Sequence, residues 1–275
     1  MILRDLMINI QEIKVMKSIM MHKNIIITSV YLYYQNIYKN SFLGFFWILI
    51  NPIFTILIYF FVFGFIFQNK VNILSGSEIN FGLFICSGFV FWLAFQDMIS
   101  GSLSMFEEYS VLIKKVNLPI YIIPIITCIK SFIPFLIFYL IYSLILLSEG
   151  NVDLIYLFSI PLVIFFMIFM IILAFMIGFI SKFFSGFGHF VSFSLSLVFW
   201  LTPIIYSKNI IPEKYQYLLN LNPLSNFIGI YRSFIFESEN FHIYDFYFLL
   251  IEFLIITIFF KYLYKKNYAN FLDLQ

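Results

Sequence analysis

Charge is what this chain has least of. Only 11% of its 275 residues are Asp, Glu, Lys or Arg, while 63% are hydrophobic and the mean hydropathy is +0.99. A water-facing exterior must stay largely polar, so a chain this short of charge cannot hide its apolar surface within itself. Lipid is the solvent for most of it. The formal net charge of +2 provides no basic field for a nucleic acid. Cysteine is scarce too: Cys86 and Cys128 lie far apart, each in an apolar run, without metal-ligand spacing, and read as packing residues. His22, His189 and His242 fall in separate loops or termini and do not assemble into one site. No Gly-x-x-x-x-Gly-Lys-Ser/Thr occurs, which excludes a phosphate-cradling loop of that type. The glycine-bearing "SGFGHF" at 185–190 reads as a flexible turn. Aromatics are plentiful, with 40 Phe and 19 Tyr. They rise together with Ile, Asn and Lys, as AT-rich coding would produce, so abundance alone marks no function.

What is present is a series of long apolar runs. A bilayer core about 30 Å thick needs about 20 apolar residues as a helix. Six runs qualify: 43–67, 81–105, 119–147, 154–181, 190–206 and 246–264, the fifth being the shortest. Residues 1–23 are polar and basic and lack an apolar core, so no cleavable leader is expected. With both termini placed in the cytoplasm, the inside holds eleven basic residues: Arg4, Lys14, Lys17, Lys23, Lys39, Lys114, Lys115, Lys182, Lys261, Lys265 and Lys266. The outside holds four: Lys70, Lys208, Lys214 and Arg232. That bias sets the orientation. The expected fold is all-α and integral to the membrane, one domain over 1–275. It divides into an interfacial N-terminal segment 1–40, a six-span core 41–264 and a cytoplasmic tail 265–275.

The segment "NIIITSVYLYYQNIYKN" at 24–40 has helical periodicity. Thr28, Ser29, Gln35, Asn36, Lys39 and Asn40 fall on one side, Ile26, Ile27, Val30, Tyr33, Tyr34 and Ile37 on the other, with Leu32 the exception. This is an amphipathic helix suited to the membrane interface, either an anchor or a gate. The run that follows is punctuated. Gly44 permits a tight turn or close packing, Trp47 suits an interface, and Asn51-Pro52 is expected to break the helical ladder, so the first span should line protein or water.

Two further stretches stand out. "EEYSVLIKKVNLPIYIIP" at 107–124 reads as a short helix with charged ends and a prolyl stop. "TPIIYSKNIIPEKYQYLLNLNPLSNFIGIYRSFIF" at 202–236 holds two apolar pieces, around 214–221 and 225–236, too short to cross a bilayer and suited to interfacial or re-entrant helices. Asp97 and Glu252 lie in or near spans and should face a pathway, a partner or an interface; Lys130, inside the third span, is a candidate partner for one of them.

These stretches together resemble the ABC-2-type permeases that export polysaccharides such as O-antigen, capsule and teichoic acid. Tyr38, Lys39, Ser41, Leu43, Gly44, Trp47 and Pro52 match the family's first signature, with Ile37 where the family carries Arg. Leu112, Ile113, Lys114, Lys115, Pro119 and Pro124 resemble the second, with Leu118 where Phe is usual. Thr202, Pro203, Tyr206, Pro212, Asn222, Pro223, Leu224 and Arg232 resemble the third. The resemblance implies a transport subunit and not an enzyme: a homodimer with two copies of a separate ATPase that uses ATP and Mg, moving a lipid-linked polysaccharide across the bacterial cytoplasmic membrane. It implies an outer gate at the third motif and an ATPase-coupling surface at Glu107, Glu108, Lys114 and Lys115. Candidate pathway residues are Tyr34, Tyr38, Trp47, Asn51, Trp92, Trp200, Tyr206 and Arg232, because hydrated sugar rings need aromatic faces and exchangeable hydrogen bonds. No cofactor or metal is expected on this chain. The alternatives are an ABC-2 exporter of drugs or lipids, and a membrane enzyme acting on lipid-linked glycans, which would need ionisable residues clustered on one membrane face.

Overall fold

A computed structural model describes residues 17–39, 41–59, 61–62, 70–72, 78–116, 118–149, 154–208, 211–236 and 243–273. Arg4, Lys14, Asn40, His242 and most of the first run beyond Tyr59 lie outside the described residues. The helices are α1 (Lys23–Tyr38), α2 (Trp47–Tyr59), α3 (Phe81–Glu108), α4 (Ser110–Val116), α5 (Ile122–Ser148), α6 (Ser159–Phe183, entered by a 3-10 turn at Leu154–Phe158), α7 (Phe187–Leu201), α8 (Glu213–Leu219), α9 (Pro223–Ser233) and α10 (Ile243–Asp273). Among the described residues the strands are a short antiparallel pair, β1 (Lys70–Asn72) and β2 (Glu78–Asn80), with Val71 opposite Ile79.

Among the described residues four helical segments are long and apolar enough to cross a bilayer: Phe81–Glu108, Ile122–Ser148, Leu154–Phe183 and Tyr244–Lys266. They coincide with four of the six expected runs. The other two runs appear as shorter apolar helices, Trp47–Tyr59 and Phe187–Leu201. Burial orders them. α3 is the central post, enclosed on most of its surface, whereas the apolar stretch of α10 is almost wholly exposed and sits at the periphery. α3 can be central because it meets α6 at backbone distance. A Cβ on Gly178 would lie 2.6 Å from the Ser102 carbonyl oxygen, so only glycine permits this crossing.

The two ends of the bundle are marked by ion pairs. At one end Lys182 of α6 meets Glu107 of α3 at 3.6 Å. There Tyr264 of α10 packs on Phe175 and Phe179, and the Tyr34 hydroxyl of α1 donates to the Lys130 carbonyl of α5. At the other end Lys208 meets Asp245, the first-turn acid of α10, at 3.0 Å. The two terminal helices therefore finish at the same end.

Local features refine the expectations. Gly44 has φ +51° and nothing near its missing side chain, so it serves the turn between α1 and α2 and not close packing. Pro52 does not break α2: the helix runs unbroken from Trp47 to Tyr59 with Pro52 inside it and buried, because one missing donor leaves the remaining ladder intact. The apolar face of α1 is narrower than expected. Ile26, Val30 and Tyr34 are buried, an i, i+4, i+8 stripe, while Ile27 and Ile37 point outward.

Candidate functional site

Among the described residues a chemically distinct feature of the apolar bundle is a cleft of about 530 Å³ between α1, α2, α3 and α5. Its walls follow from helix periodicity. α3 contributes Asp97, Ser100, Ser104 and Glu108, spaced i, i+3, i+7 and i+11 along one face. α5 contributes Thr127, Lys130 and Ser131, α2 contributes Asn51 and Thr55, and α1 lays Tyr33, Tyr34 and Tyr38 across it. The rings are ordered: Tyr34 and Tyr38 stack with centroids 6.4 Å apart and planes 11° apart, and Tyr33 meets Tyr34 edge-on.

Charge in the cleft is partly compensated. Lys130 Nζ donates to Glu108 Oε1 at 2.6 Å and lies 4.2 Å from the centroid of the Tyr33 ring and 4.8 Å from that of Tyr109. The expectation that Lys130 pairs with Asp97 or Glu252 is corrected: helix crossing brings Glu108, at the foot of α3, to it instead. Glu252 Oε2 accepts from Asn226 Nδ2 at 3.3 Å. Asp97 opens on the cleft and, among the described residues, takes no hydrogen bond or ion pair. Its charge reaches the tyrosines. Burial first, and then the Asp97 carboxylate, raise the Tyr33 and Tyr38 phenols above their usual value.

The proposed pathway residues separate into five groups. Tyr34, Tyr38 and Asn51 line the cleft. Trp47 anchors the turn before α2, its indole N–H donating to Ser41 Oγ. Trp92 is packed between Phe95 and Phe199. Trp200 is exposed, and the half-buried Tyr206 donates its hydroxyl to the Trp200 carbonyl at 3.0 Å. Arg232 is enclosed among the described residues. It is 2% exposed, donating to Ser87 Oγ at 2.9 Å and to the carbonyls of Pro203 at 2.6 Å, Ile204 at 2.8 Å and Phe84 at 3.1 Å, over the face of the Phe84 ring. In this protomer it is a staple between α9, the start of α3 and the segment after α7.

The third motif closes on itself in the same way. Asn222 caps α9 by accepting from Leu224 N at 3.1 Å, with Pro223 at the first helical position, and its amide donates to Thr202 Oγ1 at 2.8 Å. Thr202 and Asn222, and Pro203 and Arg232, thus fasten the two ends of residues 202–232. α9 is largely buried against α3, α6 and α10.

Glu107, Glu108, Lys114 and Lys115 are exposed at the opposite end, around the short helix α4. Ser100 and Ser104 carry no pathway expectation from the sequence, and for Asp97 a pathway is one of three readings, beside a partner and an interface. The polar stripe on α3 was the available signal.

A polar, tyrosine-walled cleft within a bundle of helices long and apolar enough to cross a bilayer marks the class: a membrane protein. The chain belongs to the ABC-2 type transporter family, whose model matches residues 26–236. It is similar to an O-antigen export system permease protein, RfbA, of Klebsiella pneumoniae, at 28% identity over 197 residues covering 71% of this chain and 73% of that one. It is also similar to the RfbA permease of Myxococcus xanthus, at 23% identity over 230 residues covering 82% and 86% of the two chains.

Proposed function

We propose that this chain is the permease subunit of an ATP-driven exporter that carries a lipid-linked polysaccharide, of O-antigen type, across the bacterial cytoplasmic membrane. The observation that carries this reading is the cleft. Stacked tyrosine rings with amide and hydroxyl groups beside them offer a sugar chain faces to slide on and bonds to exchange. The names of the two relatives support the same substrate class.

In this reading two copies of the chain assemble with two copies of a separate ATPase, which binds ATP and Mg. The chain crosses the membrane six times with both termini in the cytoplasm, and α8 and α9 form a re-entrant outer gate. Residues 1–40 form the interfacial segment, 41–264 the core and 265–275 the tail. Glu107, Glu108, Lys114 and Lys115 take the thrust of the ATPase, because α4 is a short exposed rod joined directly to the central post α3.

Deleting the gene should remove the glycan from the cell surface and leave lipid-linked polymer inside. A paired Lys114→Ala, Lys115→Ala variant should fold and bind the ATPase yet fail to restore surface glycan. Unchanged surface glycan in the deletion strain overturns the reading; normal export by the paired variant overturns only the coupling surface.

A further inference from the structure

We infer that the cleft between α1, α2, α3 and α5 is a binding site for the uncharged sugar units of the exported chain, and that Asp97 is the residue that selects them over phosphate-bearing groups. This rests on the export reading and adds to it the part of the substrate that this site holds.

The first step is depth. Asp97 lies eleven residues from Glu108 along α3, which at about 1.5 Å per residue is roughly 16 Å. That places it near the middle of a bilayer core about 30 Å thick, where a carboxylate costs about 2.5–3.5 kcal/mol on insertion scales. Yet no hydrogen bond or ion pair compensates it among the described residues. A carboxylate at such a depth is tolerable where water or a ligand reaches it, and the cleft is where it opens.

The second step is charge. An ionised carboxylate only accepts hydrogen bonds, so its complement is a donor. The cation lining this cleft, Lys130, is held by Glu108 at 2.6 Å and lies against two aromatic rings. A phosphate or diphosphate entering the cleft therefore meets an open carboxylate and a cation already neutralised. A sugar ring meets an acceptor for its hydroxyls, the Ser100 and Ser104 hydroxyls one and two turns from Asp97 toward Glu108 on the same helix face, and the flat surfaces of Tyr34 and Tyr38. The volume, about 530 Å³, lies within the range of about 300–1,000 Å³ typical of small-molecule pockets.

The test places a cysteine beside the carboxylate. A Ser100→Cys variant, in complex with its ATPase, is prepared in inverted membrane vesicles from two strains of the host, one making the lipid-linked glycan and one blocked in its synthesis. The rate of modification by a neutral, water-soluble maleimide is measured without nucleotide. We expect ready labelling in glycan-free vesicles and labelling slowed several-fold in glycan-loaded ones. Asp97→Leu should abolish that protection, and the isosteric Asp97→Asn, which guards against a folding defect, should retain part of it. Inorganic pyrophosphate added to glycan-free vesicles should protect nothing. Equal labelling in the two vesicle types, no labelling in either, or protection by pyrophosphate each overturns the assignment. Gene deletion run in parallel separates the two claims: lost surface glycan with unprotected Ser100→Cys leaves the export reading standing and removes the sugar site alone.

Discussion

Arg232 is fully buried and carries a charge. Its guanidinium ties α9 to the start of α3 and to the Thr202–Tyr206 segment through three carbonyls and a hydroxyl. Each acceptor orphaned by its loss costs about 1–3 kcal/mol. A lysine in its place offers a point charge instead of a planar fork. The detergent-solubilised Arg232→Ala protein should therefore melt well below the wild type, and Arg232→Lys should recover part of the difference. A wild-type melting temperature for Arg232→Ala would mean that the guanidinium holds nothing together and is free for a substrate. Gly88 belongs to the same staple. A Cβ there would meet Arg232 Nη2 and the backbone of Ile204 at 3.1 Å, so the guanidinium needs a bare helix surface to lie on.

At the scale of elements, Lys130 is a junction. It sits on α5, bonds Glu108 at the foot of α3 one residue before the turn into α4, and lies against Tyr33 of α1 and Tyr109. In the proposed reading this contact is the route by which a stroke at α4 would reach the tyrosine wall of the cleft. A Lys130→Met variant, which keeps the length of the side chain, should bind the ATPase and permit ATP hydrolysis while export falls. The exchanged pair Glu108→Lys, Lys130→Glu should restore part of it, a rescue that simple loss of packing would not give. The sequence showed the elements that make this junction and not the junction itself. Runs such as 81–105 and 119–147 announce helices because apolar length is a local property. The 107–124 stretch announces a short helix and a prolyl stop for the same reason. The pairing of residues 108 and 130 depends on how two helices cross, and no local pattern encodes it. Asp97, Ser100, Ser104 and Glu108 were a visible stripe on one helix face, but a stripe has meaning only once the facing helices are known. The burial of Arg232 depends on carbonyls supplied from 28 and 148 residues away in the chain, which no local pattern announces.

The whole molecule poses a question of length. α2 has 13 residues and α7 has 15, which at about 1.5 Å per residue gives roughly 20 and 22 Å, short of a bilayer core of about 30 Å. The chain still reaches both ends of the bundle. Ile48 of α2 packs in the same cluster as Phe106 and Phe179, at the end bearing Lys182–Glu107, while α3 begins beside Phe236 near the other end. The proposed six-span topology needs a crossing between them, and a second at α7 leading into the Thr202–Ser207 segment. Single cysteines at four exposed positions decide the matter. Lys39→Cys, Lys114→Cys and Lys265→Cys should react with a membrane-impermeant maleimide only after cells are opened, and Lys214→Cys should react in intact cells. The first pair tests α2: if Lys39→Cys labels from outside while Lys114→Cys does not, α2 fails to cross and the count falls to five. The pair Lys114 and Lys214 tests α7 by the same parity, and Lys214 with Lys265 tests α10. An even count with both ends inside also brings the cleft tyrosines of α1 to the face on which the ATPase must bind, so the sidedness that fixes topology also fixes whether one stroke at α4 can reach the cleft.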